Sequence, residues 1–285
     1  MIKIFSGICG ENVNWRLDGK ILMISGTGNM FDDDNLAEEF SDREKIERLV
    51  IEYGVTSVGS FVFSFCDNLR RAELPDSIIE IGNSAFVFCG KLEAIKLSKN
   101  LISIGKSAFC GCWNLNEINL PQNLISIGDN AFCNCSGLKT LKIPKNVKEI
   151  GEQAFKGCEQ VEKVELADGI EKIGRNAFEN CENLSSIRIP ASVKEIGTDI
   201  FNNCANLKTI YCFVGCGFEN ILRKGNNATL IRIAEPISTS NNLKWRLDGD
   251  TLIITDADKL KFVSHDENAP WYDKRDLIKK IIFES

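Results

Sequence analysis

I-G-K-S-A-F-C-G-C-W-N-L-N-E-I-N-L-P, running from Ile104 to Pro121, decides how the chain is read. Near its end Ile118 and Leu120 alternate with Glu117 and Asn119, which predicts a short strand with one buried face. Pro121 lacks the amide proton a ladder needs and ends that strand. The next segment, Leu124 to Gly128, reads as a second extended stretch. Its glycine turns the chain, with positive φ as one way of doing so. The A-F-x-x-C segment reads as a short helical turn whose Phe plugs a core.

Outward from this stretch the same pattern returns every 23 residues, at Gly59, Gly82, Gly105, Gly128, Gly151, Gly174 and Gly197. Each glycine is followed four residues later by Phe (Phe63 to Phe201) and seven residues later by Cys (Cys66 to Cys204). Ten residues after it comes Leu, or Val161 in one unit, and just before it stands Ile, or Val58 in the first. Periods of 20 to 29 residues with this patterning mark leucine-rich solenoids. No single unit can close a core; stacked units share one. Seven stacked rungs, with parallel strands ~4.8 Å apart, give a rod or arc of roughly 30 Å. The fold class expected is a β-rich leucine-rich repeat solenoid with minor helix, capped by β modules.

The unit I-G-x-x-A-F-x-x-C-x-x-L-x-x-I-x-[LI]-P resembles the BspA-type leucine-rich repeat, in all seven copies from about Val55 to Phe213. Departures are Val62 and Ile200 for Ala, and Val161 for Leu. The resemblance implies a curved solenoid used for recognition, often on bacterial or protozoan surfaces, without catalytic activity.

The array needs capping. Residues 1–50 form an N-terminal module: Val13, Trp15 and Leu17 alternate, Asp18-Gly19 turns, and Ile21 to Ile24 return, a hairpin signature. Residues 51–213 are the solenoid. Residues 214–236 read as a C-terminal cap, with Phe218, Ile221 and Leu222 at helical spacing and Leu230 to Ile233 as a strand. Residues 237–285 repeat the first module: Trp245 to Thr255 aligns with Trp15 to Ser25, and Lys279 to Glu284 with Glu47 to Glu52.

Composition narrows the function. A net charge of −6 and a pI near 5.1 argue against nucleic acid, whose phosphates need a Lys/Arg surplus. No apolar run approaches the ~20 residues of a membrane span. One histidine, His265, leaves little room for His-based acid–base or metal chemistry. Met1 to Gly10 does not read as a secretory signal. Either the protein stays inside the cell or the chain is a segment of a longer secreted one; the resemblance favours the cell surface.

Twelve cysteines admit three readings. Disulfides would leave one of the seven ladder cysteines over and would have to bridge ~4.8 Å between rungs, wider than the ~3.8 Å they prefer. A four-thiol metal or redox site could draw on Cys110, Cys112, Cys133 and Cys135. The favoured reading is that Cys is a small buried hydrophobe shaped to the rung. Cys212 takes a core Leu position, whereas a bridge or exposed thiols stay open for Cys9 and Cys216. No cofactor is expected, and a small-molecule ligand is disfavoured.

Two recognition surfaces are expected for a partner protein. The strand face presents one column of Arg71, Ala94, Glu117, Thr140, Lys163, Ser186 and Thr209. A second holds Glu73, Lys96, Asn119, Lys142, Glu165, Arg188 and Tyr211, whose neighbouring opposite charges also suit a plain stabilising ladder. The flank presents Phe61, Phe65, Val87, Phe88 and Trp113, at positions that later repeats fill with small or polar residues. Such a patch either binds a partner or is covered by Phe31 to Phe40. The function expected is a non-catalytic protein-interaction scaffold or adhesin; the alternative is an architectural segment of a longer tandem surface protein.

Overall fold

The computed structural model describes residues 5–32, 43–213, 228–233, 244–248, 251–255 and 280–284. The chain begins with three antiparallel strands, β1 (Phe5–Gly10), β2 (Val13–Asp18) and β3 (Ile21–Gly26). In β2 the alternation is realised: Val13, Trp15 and Leu17 are buried, while Asn14 and Arg16 face solvent. Gly19 takes φ 60° between β2 and β3, as a glycine-first two-residue hairpin turn requires.

Pairing then changes sense. Strand β3 pairs in parallel with Arg48–Ile51, which pairs with Arg71–Glu73, and that with Ala94–Lys96. Just past β3, Gly28–Asn29 pairs in parallel with Val55–Val58 and so starts a second sheet. The N-terminal module therefore supplies three strands to the first sheet and one to the second, and the first repeat is laid on β3 and Gly28–Asn29 as on a preceding rung. Lys20 reinforces the join through an ion pair with Glu47.

The second sheet runs in parallel through all repeats, from Gly28–Asn29 to Glu195–Ile196. Its register is strict: Ile81, Ile104, Ile127, Ile150, Ile173 and Ile196 lie opposite one another in succession. The first sheet is interrupted. Asn116–Leu120 keeps the predicted burial alternation, with Ile118 and Leu120 inside, but does not join a strand ladder. Pairing resumes between Thr140–Ile143 and Lys163–Leu166, and again from Ser186–Arg188 through Thr209–Phe213 to Thr229–Ile233.

The third side of each rung differs from the expected helical turn. The A-F-x-x-C segment is a run of tight turns. Phe61, Phe63 and Phe65 donate sideways to the next rung, at the carbonyls of Asn83, Ala85 and Val87, whereas Ser64 and Cys66 donate back to Phe61 and Phe63. Left-handed residues break any helix here. They fall two residues after each repeat glycine (Phe61, Ser84, Ser107, Asn130, Gln153, Asn176, Asp199) and six residues after it (Phe65, Phe88, Gly111, Asn134, Gly157, Asn180, Asn203).

The repeat glycines themselves do not adopt positive φ. They are required by close approach instead. A Cβ on Gly151 would stand 2.5 Å from the carbonyl carbon of Gly128 and 2.6 Å from the amide of Asp129. Backbone stacks directly on backbone along this edge.

Inside, the seven phenylalanines form one column with ring centroids 5.2–5.9 Å apart, near-parallel from Phe86 to Phe178. Each is buried, as are the ladder cysteines beside them. Near the C-terminus, Lys244–Asp248 and Thr251–Thr255 pair antiparallel, and the latter pairs in parallel with Lys280–Glu284. The register repeats that of the first module: Trp245 faces Ile254 and Asp248 faces Thr251, as Trp15 faces Ile24 and Asp18 faces Ile21. The helical cap segment expected around Phe218 to Leu222 and the possible cover from 33 to 40 lie outside the described residues.

Candidate functional site

The strand face is a charged lattice. Arg71, Ala94, Glu117, Thr140, Lys163 and Ser186 are exposed and Thr209 is half-buried. In the other column Glu73, Lys96, Asn119 and Lys142 are exposed, while Glu165, Arg188 and Tyr211 are half-buried. Glu73 pairs with Arg48 of the preceding strand at 2.6 Å, rather than with Lys96. Glu165 takes Lys163 at 2.6 Å and Lys142 at 3.3 Å. Hydrogen bonds from Lys163 and then Lys142 hold the Glu165 carboxyl below its ordinary value, against a partial burial that raises it. These charges are engaged with one another, and exposed pairs of this kind are worth ~0–1 kcal/mol each.

The flank is different. Phe65 is 53% exposed, Phe88 37% and Trp113 49%. The Phe65 and Phe88 rings stack at 5.3 Å, and Phe88 meets Trp113 at 6.2 Å with the planes tilted by 44°. Neighbouring glycines make room. A Cβ on Gly111 would lie 2.4 Å from the Phe88 ring, and one on Gly90 2.5 Å from the Trp113 ring. Phe65 and Phe88 have φ of 56° and 57°, in the left-handed region that bulky side chains avoid. Later repeats fill this position with Gly or Asn. Phe61 is also exposed and left-handed, at φ 62°. Val87, assigned to the same patch from sequence, is buried and does not contribute.

A second exposed apolar column escaped the sequence reading: Ile79, Ile102 and Ile125, three residues before their repeat glycines. The signal was available, because the same position becomes Lys148, Glu171 and Lys194 further along. Those three pair at 3.3 and 2.7 Å around Glu171. Five residues after the glycines the later rungs carry another ion pair, Lys156 with Glu179 at 2.8 Å. The outward column that is apolar at Ile79, Ile102 and Ile125 is thus ionic in the later repeats.

The four-thiol site does not assemble. Cys112 and Cys135 point into the ladder and donate to the carbonyls of Phe86 and Phe109, at 3.3 and 3.1 Å. Cys110 and Cys133 occupy another column, with Cys110 partly open to solvent. Among the described residues no three Cys, His, Asp or Glu side chains converge as a metal site, and no helix is long and apolar enough to cross a membrane.

The repeat pattern matches the model of the BspA type leucine rich repeat region in six copies, over residues 37–160 and 125–222. The chain belongs to the BspA-type leucine-rich repeat family. Among solved structures, this BspA-type array is similar to a leucine-rich cell surface protein of Faecalibacterium prausnitzii, with 28% identity and a TM-score of 0.56, covering 73% of this chain and 54% of that one. It thus spans about half the length of that relative. It is also similar to a leucine-rich repeat protein of T. pallidum, with 26% identity and a TM-score of 0.58, covering 79% of this chain and 96% of that one. Comparison with curated proteins finds no match.

Proposed function

We propose that this BspA-type array is a non-catalytic scaffold at the bacterial cell surface, and that it seats a partner protein on the aromatic strip of Phe65, Phe88 and Trp113. The observation that carries the reading is the backbone at Phe65 and Phe88. A bulky residue in the left-handed region costs ~1–2 kcal/mol, yet both positions hold exposed phenylalanines where later rungs use Gly or Asn. Local strain of this kind concentrates at functional sites, and aromatic anchors dominate protein interfaces. The cell-surface relative supports the location. The strand face serves the reading less well, because several of its charges are already paired along the ladder.

The test uses a variant carrying Phe65→Asn, Phe88→Asn and Trp113→Ala, with Asn taken from the later repeats so that the rungs still fold. Relief of left-handed strain offsets the lost stacking, so each Asn substitution changes stability by less than about 1 kcal/mol. Wild type, this variant and a strand-face variant, Lys142→Ala with Lys163→Ala, are screened against an array of extracellular proteins. Partners bound by wild type and by the strand-face variant are lost by the strip variant. Equal binding by the strip variant overturns the proposal.

A further inference from the structure

One pair of cysteines stands apart from the core ladder. Cys110 and Cys133 lie five residues after their repeat glycines, in a column that other rungs fill with Ser64, Val87, Lys156, Glu179 and Asn202. The Gly111 amide donates to the Cys133 carbonyl at 2.8 Å, which sets the two residues side by side on adjacent rungs. The two side chains occupy the same position of their units, one rung apart. Among the described cysteines Cys110 alone is partly open to solvent.

We propose that Cys110 and Cys133 form a dithiol modification site for small-molecule disulfides, with Cys110 attacking and Cys133 resolving. Three properties meet there. Access belongs to Cys110. A second thiol waits beside it, shielded from the solvent. The neighbouring Cys133 thiol brings the Cys110 thiol down to about 7 despite partial burial, while Cys110 and burial push Cys133 up. An attacking thiol whose pKa lies near the ambient pH exchanges best.

The Cys110 thiolate attacks one sulfur of a disulfide RS–SR, forms a mixed disulfide and releases RS⁻, which takes up a proton. Cys133 gives up its proton and attacks the Cys110 sulfur, expelling the second RS⁻. Two protein thiols are oxidised to one disulfide, and RS–SR is reduced to two RSH. Neighbouring rungs hold Cβ atoms ~4.8 Å apart, wider than the ~3.8 Å a relaxed bridge prefers. Bridging therefore draws the two turns together, and the strained bond is easily reduced again.

The full chain is treated with oxidised glutathione, and its cysteines are mapped by peptide mass spectrometry. Wild type is expected to lose two hydrogens, assigned to a Cys110–Cys133 bridge, roughly ten-fold or more faster than any ladder cysteine reacts. Cys133→Ala is expected to stop at a stable glutathione adduct on Cys110, and Cys110→Ala to leave Cys133 unmodified. Circular dichroism checks that both variants fold. First modification at any cysteine outside the pair overturns the proposal, as does a wild type that stops at the adduct.

Discussion

The Cys135 thiol donates a hydrogen bond to the carbonyl oxygen of Phe109, one rung earlier, at 3.1 Å. The relationship repeats from Cys89 with Phe63 to Cys204 with Phe178, at 3.0–3.4 Å. Burial pushes these six thiols up, Cys204 to about 12, so they stay protonated and keep donating at neutral pH. Cys at this position is thus both a space-filler and a donor. Cys135→Ala removes the donor and opens a small void, and is expected to lower stability by roughly 1–3 kcal/mol. Urea denaturation measures it; an unchanged midpoint would show that the bond and the volume contribute nothing.

Replacing Gly151 by Ala places a methyl group against the backbone of Gly128 and Asp129, which no side-chain rotation can relieve. The expected loss exceeds about 3 kcal/mol. Gln153 makes the contrast, because it lies two residues on and carries the positive φ, at 55°. Gln153→Gly is expected to be neutral or to stabilise by up to ~1 kcal/mol. Thermal unfolding of the two variants separates close stacking from backbone handedness, and the reverse ranking would contradict this account.

Acid should loosen the outer surface. Bonds from Lys163 and Lys142 lower the Glu165 carboxyl, and bonds from Lys194 and Lys148 lower Glu171. At Asp129 burial raises the carboxyl, but Lys106 and the Glu152 amide outweigh it and the net direction is down. A carboxyl lowered on folding stabilises fully above its unfolded value, here 4.5 for Glu and 3.8 for Asp. That stability is lost as pH falls through the lower folded values. The melting temperature should decline below these values, and about 1 M salt should flatten the decline by screening. A flat profile in low salt would rule these pairs out as contributors.

Much of the architecture could be read from recurrence alone. Ile, Gly, Phe, Cys and Leu return every 23 residues, and stacking is the arrangement that lets every unit bury the same side chains. The Phe and Cys columns follow directly. What recurrence does not encode is the reason for each residue. A glycine needed for close approach and one needed for positive φ look alike in sequence, and the handedness fell at Gln153 and Asn134 instead. The strand at Asn116–Leu120 shows the same limit: alternation predicts which side chains turn inward, whereas ladder bonds depend on how the neighbouring rungs sit. At the flank, Phe65, Phe88 and Trp113 were visible as departures from the later repeats. Val87 could not be separated from them, because adjacent residues in a tight turn point to different sides.

The first rung rests on strands from the N-terminal module as each later rung rests on its predecessor. Unequal recombination between two repeats in the coding sequence would therefore add or remove whole units of 23 codons in frame, with both ends of the array still meeting familiar neighbours. Reach away from the N-terminal module is then adjustable in steps of one rung. The aromatic strip, set in the first three units, stays at a constant distance from the N-terminal module whatever the length beyond it.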